Sequence, residues 1–332
     1  MDSKLILEVK AIEKELEADP SSSVLWFQLF QCFLGEKELF CHSIRMKHIL
    51  QYIKLYPKGE YALTPYVQID PELSPTEYQE LNKIWTEHLE NNVEDIEIAR
   101  GAANHYCMKN RNEAKDILKG ILKINPNEES VWLDLARYSI EAEERLEYFQ
   151  NARKYGSTQP NLLVWIATTA IKTQKYDIVE SIANELLVLM QKARDTYGDK
   201  LDWKGTNHDR QDKAYELTGD RKSSFKLTQA ISTHYYHKHN AYNALGHVAL
   251  SKNDINTATQ YLIQSAEVAS EPRLSSYGPS FSLAKELCKK EQWTEVEKYL
   301  NLCSLFWEDE ILTEWTEIVK NHKVPEFKKS ED

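Results

Sequence analysis

The sequence predicts an all-α fold, in the form of a right-handed α-solenoid of stacked helical hairpins. Two stretches near the C-terminus repeat one pattern of small and apolar residues. Elsewhere apolar residues recur at helical spacing, and many of the 10 Gly and 10 Pro of the 332-residue chain lie between these runs. Repeats of this kind are typical of helical hairpins that bury their apolar face only against a neighbouring hairpin.

The C-terminal repeat sets the register of two hairpins. Counted from Gly246 and from Ala284, small or apolar residues follow at offsets of +12, +16 and +19 in both stretches. The small residue lets two helices cross closely, and the larger residues fill the gap to the next hairpin. The first stretch consists of Leu245-Gly246, Ala258, Leu262 and Ser265, and the second of Leu283-Ala284, Val296, Leu300 and Cys303.

Residues 1–92 are predicted as an N-terminal helical region with degenerate repeat units. An amphipathic helix covers residues 3–18, a second helix follows Ser23, and a longer one covers about 39–56. The connection 57–75 is rich in proline, and a further helix begins at Ser74-Pro75.

Residues 93–194 are predicted as further hairpins. Ala114 and Pro126 are 12 residues apart, and Pro126 and Trp132 are six apart, which are intervals of the tetratricopeptide consensus. The pattern breaks at 195–223, where glycines and charges crowd together. This segment is therefore predicted as a polar insertion or long loop with one short helix around Gln211 to Leu217.

Residues 224–323 are predicted as the C-terminal hairpins and a capping helix, which covers about Ile311 to Asn321. Glu314, Glu317 and Lys320 would give this helix a polar outer face. A tail, 324–332, follows it.

These repeat units resemble tetratricopeptide repeats, and the whole chain resembles an uncharacterised bacterial family of tetratricopeptide-like proteins. The resemblance implies a solenoid with degenerate N-terminal units, and it carries no activity with it. The blocks that support it span most of the chain. They are Arg45 to Ile49 with Tyr52-Ile53, Tyr61 through Glu72, Leu245 to Leu250, Ser276 to Pro279 with Leu283 to Leu287, Tyr299-Leu300 with Cys303 and Phe306-Trp307, and the tail with Trp315, Ile318 and Pro325 to Phe327.

Composition narrows the classes of partner. The chain carries 52 acidic and 41 basic residues, a formal net charge of −11, which repels the phosphate backbone of nucleic acids. No apolar run is long enough for a signal peptide or for the roughly 18 residues of a membrane span. The five cysteines are widely scattered, as in proteins of a reducing compartment. We therefore expect a cytoplasmic protein without nucleic-acid or membrane partners and without a cofactor.

A polar stripe predicts a binding groove. His239, Asn243 and His247 are spaced i, i+4, i+8 and so share one helix face. In tetratricopeptide repeats, the positions of Asn243 and His247 line the concave groove. The alternative is a solvated helix face without a ligand. The full predicted groove set is Asn243, His247, Phe281, Lys285, Leu133 and Arg137.

The histidines at 234, 237 and 239 suggest a different site. His234 and His237 could share a helix face and hold a metal ion or transfer a proton, but no carboxylate stands at the offsets of a helical zinc motif. The alternative is a polar helix face beside a variable loop.

These patterns lead to one function with one alternative. The first is a non-catalytic scaffold that binds a peptide or protein partner in its concave groove. The alternative is an enzyme or metal-binding protein that uses the His-rich region 234–247. Partner identity, oligomeric state and any catalytic activity stay open at this point.

Overall fold

The computed structural model describes residues 3–33, 42–202, 207–268, 271–307 and 309–327. Over these ranges the chain is helical and contains no strand, which confirms the all-α prediction. The chain divides into two compact units, Met1–Ser157 and Thr158–Asp332. The division falls inside the region 93–194 that the sequence assigned to a single set of hairpins.

The first unit contains eight described helices. They are α1 (Ser3–Ala18), α2 (Ser23–Gln31), α3 (His42–Leu55), α4 (Pro75–Asn91), α5 (Ile96–Tyr106), α6 (Arg111–Ile124), α7 (Glu129–Tyr138) and α8 (Ala142–Lys154). Each packs mainly on its neighbours in sequence, so α5 and α6 form one hairpin and α7 and α8 form the next.

Side-chain caps explain where two of these helices begin. The Asp95 carboxylate accepts hydrogen bonds from the backbone N–H groups of Glu97 and Ile98, both at 3.1 Å, just before α5. Asn110 accepts from the N–H of Glu113 at 3.2 Å, just before α6. Such caps satisfy N–H groups that the first turn of a helix leaves without a partner.

The Pro-rich connection 57–75 packs on the first unit. The Tyr61 hydroxyl donates to the Ser23 carbonyl oxygen at 3.0 Å, and its ring lies against Phe30. Val67 and Ile69 are buried, and Pro65–Val67 form a short 3-10 turn. Apolar burial therefore holds this irregular segment in place.

The second unit contains nine described α-helices. They are α9 (Leu162–Lys172), α10 (Tyr176–Tyr197), α11 (Asn207–Thr218), α12 (Arg221–Ser251), α13 (Ile255–Ala266), α14 (Pro272–Tyr277), α15 (Ser282–Cys288), α16 (Trp293–Cys303) and α17 (Ile311–Lys320). α12 packs against α10, α11 and α13, and the hairpin of α15 and α16 follows through contacts of α13 with α16. α17 packs on α16.

The residues of the C-terminal repeat are core residues of the second unit. Gly246 of α12 faces Leu283 of α15 so closely that a Cβ atom on Gly246 would overlap the Leu283 side chain. The small residue is therefore needed where α12 and α15 approach each other. Eight repeat positions have no exposed surface: Ala258, Leu262, Ser265, Leu283, Ala284, Val296, Leu300 and Cys303.

The segment 195–223 is more helical than its glycines and charges suggested. α10 continues to Tyr197, a 3-10 turn covers Gly198–Asp202, and α11 extends over Asn207–Thr218. The prediction of one short helix around Gln211 to Leu217 falls within α11. Residues 203–206 of this segment lie outside the described ranges.

None of the helices in the described part of the chain combines the length and apolar character that a membrane span requires.

Candidate functional site

The polar stripe of α12 is buried and contacts its own chain. His239, Asn243 and His247 are 1%, 4% and 5% exposed. All three hydrogen-bond to the segment Ser280–Ser282, which leads into α15. The i, i+4, i+8 spacing thus places them on one face, as predicted, but this face is covered by the next hairpin.

His239 is the most completely enclosed member of the stripe. Its Nδ1 lies 2.9 Å from the Ser265 carbonyl oxygen, and its Nε2 accepts a hydrogen bond from the backbone N–H of Ser280 at 2.9 Å. These partners assign the proton to Nδ1, since a carbonyl can only accept. Burial lowers the pKa of His239 to about 4, so the ring is neutral at physiological pH.

Asn243 and His247 hold the same segment through its serines. The Asn243 Nδ2 donates to the Ser280 carbonyl oxygen at 3.5 Å, and the Ser282 hydroxyl donates to Asn243 Oδ1 at 3.3 Å. His247 Nε2 lies 3.0 Å from Ser282 Oγ. Burial lowers the pKa of His247 to about 4. The carbonyl of Ser280 also accepts from the Tyr299 hydroxyl at 2.7 Å, so the segment is tied to α16 as well.

Phe281 belongs to the aromatic core rather than to a groove. It is 1% exposed, and its ring stacks on Phe327 with centroids 5.3 Å apart and meets Trp315 edge-on at 4.9 Å. Part of the predicted tail, at Phe327, is therefore anchored in the core. Lys285, one helical turn further on, is half-buried.

Leu133 and Arg137 lie in the first unit. Leu133 is 7% exposed. Arg137 is exposed and pairs with Asp134 at 2.9 Å, and the same carboxylate accepts from Arg100 of α5 at 2.6 Å.

The burial of Asn243, His247, Phe281 and Leu133 does not fit the open groove predicted from the repeat register. Neighbouring structure covers these side chains, so a peptide cannot reach them in this conformation.

The two histidines of the alternative site are also buried. His234 and His237 are 7% and 8% exposed, and burial lowers the pKa of each to about 4. Among the described residues, no three His, Cys, Asp or Glu side chains are grouped so that they could hold a metal ion. His237 lies near Arg273, whose charge also lowers its pKa, whereas His234 lines a cavity.

This cavity, named here the α10–α12 cavity, has a volume of about 360 Å³. Its charged lining residues are two cations, Arg194 from α10 and Lys238 from α12, and two acids, Asp202 and Glu267. Apolar side chains such as Leu302 complete the wall. Asp202 fixes Arg194 through two hydrogen bonds, from Nη1 at 2.8 Å and from Nη2 at 2.7 Å. Of the residues of this site, sequence reasoning singled out His234 and missed the two cations, because Arg194 and Lys238 are 44 residues apart (238 minus 194) and share no motif.

Three exposed apolar side chains lie close in sequence to the turn between α11 and α12. Tyr215 and Leu217 in the last turns of α11 are 51% and 41% exposed, and Phe225 near the start of α12 is 68% exposed. Each lies within five residues of the Gly219-Asp220 turn, so a rise of about 1.5 Å per helical residue keeps them near one end of the hairpin. We name these three residues the α11–α12 tip.

The cysteine thiols of the second unit are poor nucleophiles. Cys288 and Cys303 are 1% and 0% exposed. Burial raises the pKa of Cys288 to about 12 and that of Cys303 still higher. A thiol with so high a pKa carries almost no thiolate at neutral pH.

Comparison with known proteins gives no relative by which these features could be interpreted. Neither a protein-family model nor a curated protein matches the chain.

Proposed function

We propose that the chain is a tetratricopeptide-like scaffold that binds a protein or peptide partner and has no catalysis of its own. The observation that carries the proposal is the α11–α12 tip, where Tyr215, Leu217 and Phe225 are exposed within five residues of the turn between the two helices. Aromatic side chains are the commonest anchors of protein interfaces, because they bury a large area at little cost in side-chain entropy.

The neighbouring structure supports the tip as the contact surface. The polar groups of the α12 stripe are occupied by Ser280–Ser282, so they offer a partner little. The tip instead presents apolar area on a hairpin whose other end is held by α10 and α13.

Quantitative affinity capture from the cells that produce the protein tests the proposal. We expect the double variant Tyr215→Ser, Phe225→Ser to lose at least about tenfold of the partner that the wild type retains, the effect of removing interface anchors of about 2 kcal/mol. The matched control is Tyr277→Ser, because Tyr277 is 76% exposed in the same unit and outside the tip. Equal capture by the wild type and the double variant would contradict the proposal.

A further inference from the structure

The α10–α12 cavity combines charge, an apolar wall and a buried imidazole. Its volume of about 360 Å³ lies within the roughly 300–1,000 Å³ of small-molecule sites. It belongs entirely to the second unit and is separate from the α11–α12 tip in its residues.

Arg194 is held in one orientation beside the cavity by its own chain. Its guanidinium donates to the Gly198 carbonyl oxygen at 3.2 Å and to both carboxylate oxygens of Asp202. Within the described part of the chain, these bonds occupy three of the five donors of a guanidinium. A planar group held in this way loses little entropy when it binds an oxyanion.

Lys238 brings a second cation to the same cavity. Its Nζ donates to the Glu267 carbonyl oxygen at 2.7 Å, which fixes the end of this long side chain beside the cavity. The apolar wall includes Val268 and Leu302. A ligand that satisfies both features has an anionic group and a short apolar part.

His234 contributes a buried imidazole to the cavity. Its side chain is buried, and its Nδ1 has no hydrogen-bond partner among the described residues. A buried polar atom without a hydrogen-bond partner is destabilising. A bound oxyanion would accept a hydrogen bond from this nitrogen.

We propose that the α10–α12 cavity binds a small organic acid, with its carboxylate or phosphate oxygens held by Arg194, Lys238 and His234.

Binding of the acid in the α10–α12 cavity is coupled to protonation of His234. The charged groups around His234 are Arg194 from α10, Asp202 from the following 3-10 turn, Lys238 from α12 and Glu267 after α13. Burial, followed by the charges of Arg194 and Lys238, lowers the pKa of His234 to about 4, and Asp202 opposes this. An anion between the two cations counters their effect and raises this pKa. Affinity therefore increases as the pH falls toward 4, by up to about tenfold per pH unit for one linked proton.

The experiment follows the imidazole resonance of His234 by NMR, assigned with the variant His234→Gln. The probes are butyrate, its neutral analogue butyramide, and inorganic phosphate. We expect butyrate to saturate one site and to raise the pKa of His234, whereas butyramide leaves it unchanged. Phosphate binding more tightly than butyrate, with the same rise in pKa, assigns the site to phosphate esters, and the reverse order assigns it to carboxylic acids.

Matched variants complete the test. Lys238→Gln is expected to weaken binding of the preferred acid at least tenfold at pH 6, and Lys226→Gln, an exposed change on the same helix, is expected to leave it unchanged. Circular dichroism checks that both are folded. If Lys238→Gln is not folded, the binding measurement on it is replaced by calorimetry of His234→Gln in buffers of different ionisation enthalpy. We expect the proton uptake that accompanies binding to be lost in His234→Gln. Either of two variant results overturns the proposal: full binding by the folded Lys238→Gln, or proton uptake retained by His234→Gln. Two ligand results also overturn it: equal effects of butyrate and butyramide, or no shift of the His234 resonance with either acid.

Discussion

His239 shows how a polar side chain can be buried deeply while both of its ring nitrogens have partners. The ring links Ser265 at the end of α13 to Ser280 before α15, and it does so only in the neutral form with the proton on Nδ1. A second proton would place a donor against the N–H of Ser280 and a charge in the core. His239 therefore makes the free energy of unfolding depend on pH.

The pH dependence of stability follows from the pKa of about 4 that burial gives His239. An unfolded histidine has a pKa of about 6.5, so the unfolded state binds the proton more tightly. The contribution of His239 is complete above about pH 6.5. It is lost as the pH falls toward 4, at up to about 1.4 kcal/mol per pH unit.

We expect His239→Gln to reduce the slope of unfolding free energy against pH by this amount between pH 6.5 and 4, whatever its stability at neutral pH. Urea unfolding at a series of pH values measures the slope. A variant with the slope of the wild type would show that His239 does not titrate in this way.

Whether a helix needs glycine at a given position depends on what faces that position. Gly101 of α5 faces the buried indole of Trp85 in α4, and a Cβ atom on it would lie 2.5 Å from the Trp85 ring. Gly120 of α6 has no such neighbour within 4 Å of a Cβ atom. α5 and α6 are adjacent in the first unit, so Gly101 and Gly120 form a matched pair for substitution.

Alanine should therefore have opposite effects at the two glycines. Gly101→Ala is expected to destabilise the first unit, because overpacking of about 1–3 kcal/mol exceeds the gain of up to about 1 kcal/mol in helix propensity. Gly120→Ala has only the gain and should stabilise the unit by up to about 1 kcal/mol. Urea midpoints of the two variants measure this difference. A shift in the same direction for both would contradict the close approach of α4 and α5.

The whole chain is organised as two units whose division lies between α8 and α9. Cutting after Ser157 leaves the contacts of α9 and α10 with α12 intact, whereas cutting after Arg194 removes α9 and most of α10 from the apolar face of α12. We expect the fragment Thr158–Asp332 to unfold cooperatively in a thermal circular-dichroism scan. We expect the fragment of residues 195–332, which follows the boundary predicted from sequence, to lack a cooperative transition. The opposite result would place the division at 194.

The sequence predicted the helical fold and several core positions of the second unit, because close helix crossings require small residues, as at Gly246 and Ala258. The same periodicity cannot report what lies above a helix face. Asn243 and His247 therefore look like groove residues until Ser280 and Ser282 are placed against them. The cavity beside Arg194 was beyond prediction, because it depends on the meeting of α10 and α12 rather than on any local pattern.

The hydrogen bonds from α12 to Ser280 and Ser282, at the start of α15, have a consequence for synthesis of the chain. Ser282 follows His247 by 35 residues, and Ser280 follows His239 by 41. A ribosome adds about 5–20 residues per second, so the polar groups of α12 remain hydrated for a time on the order of seconds before their partners are made. Water must leave these groups when α15 docks, and the second unit therefore closes late in translation, after its central helix is already complete.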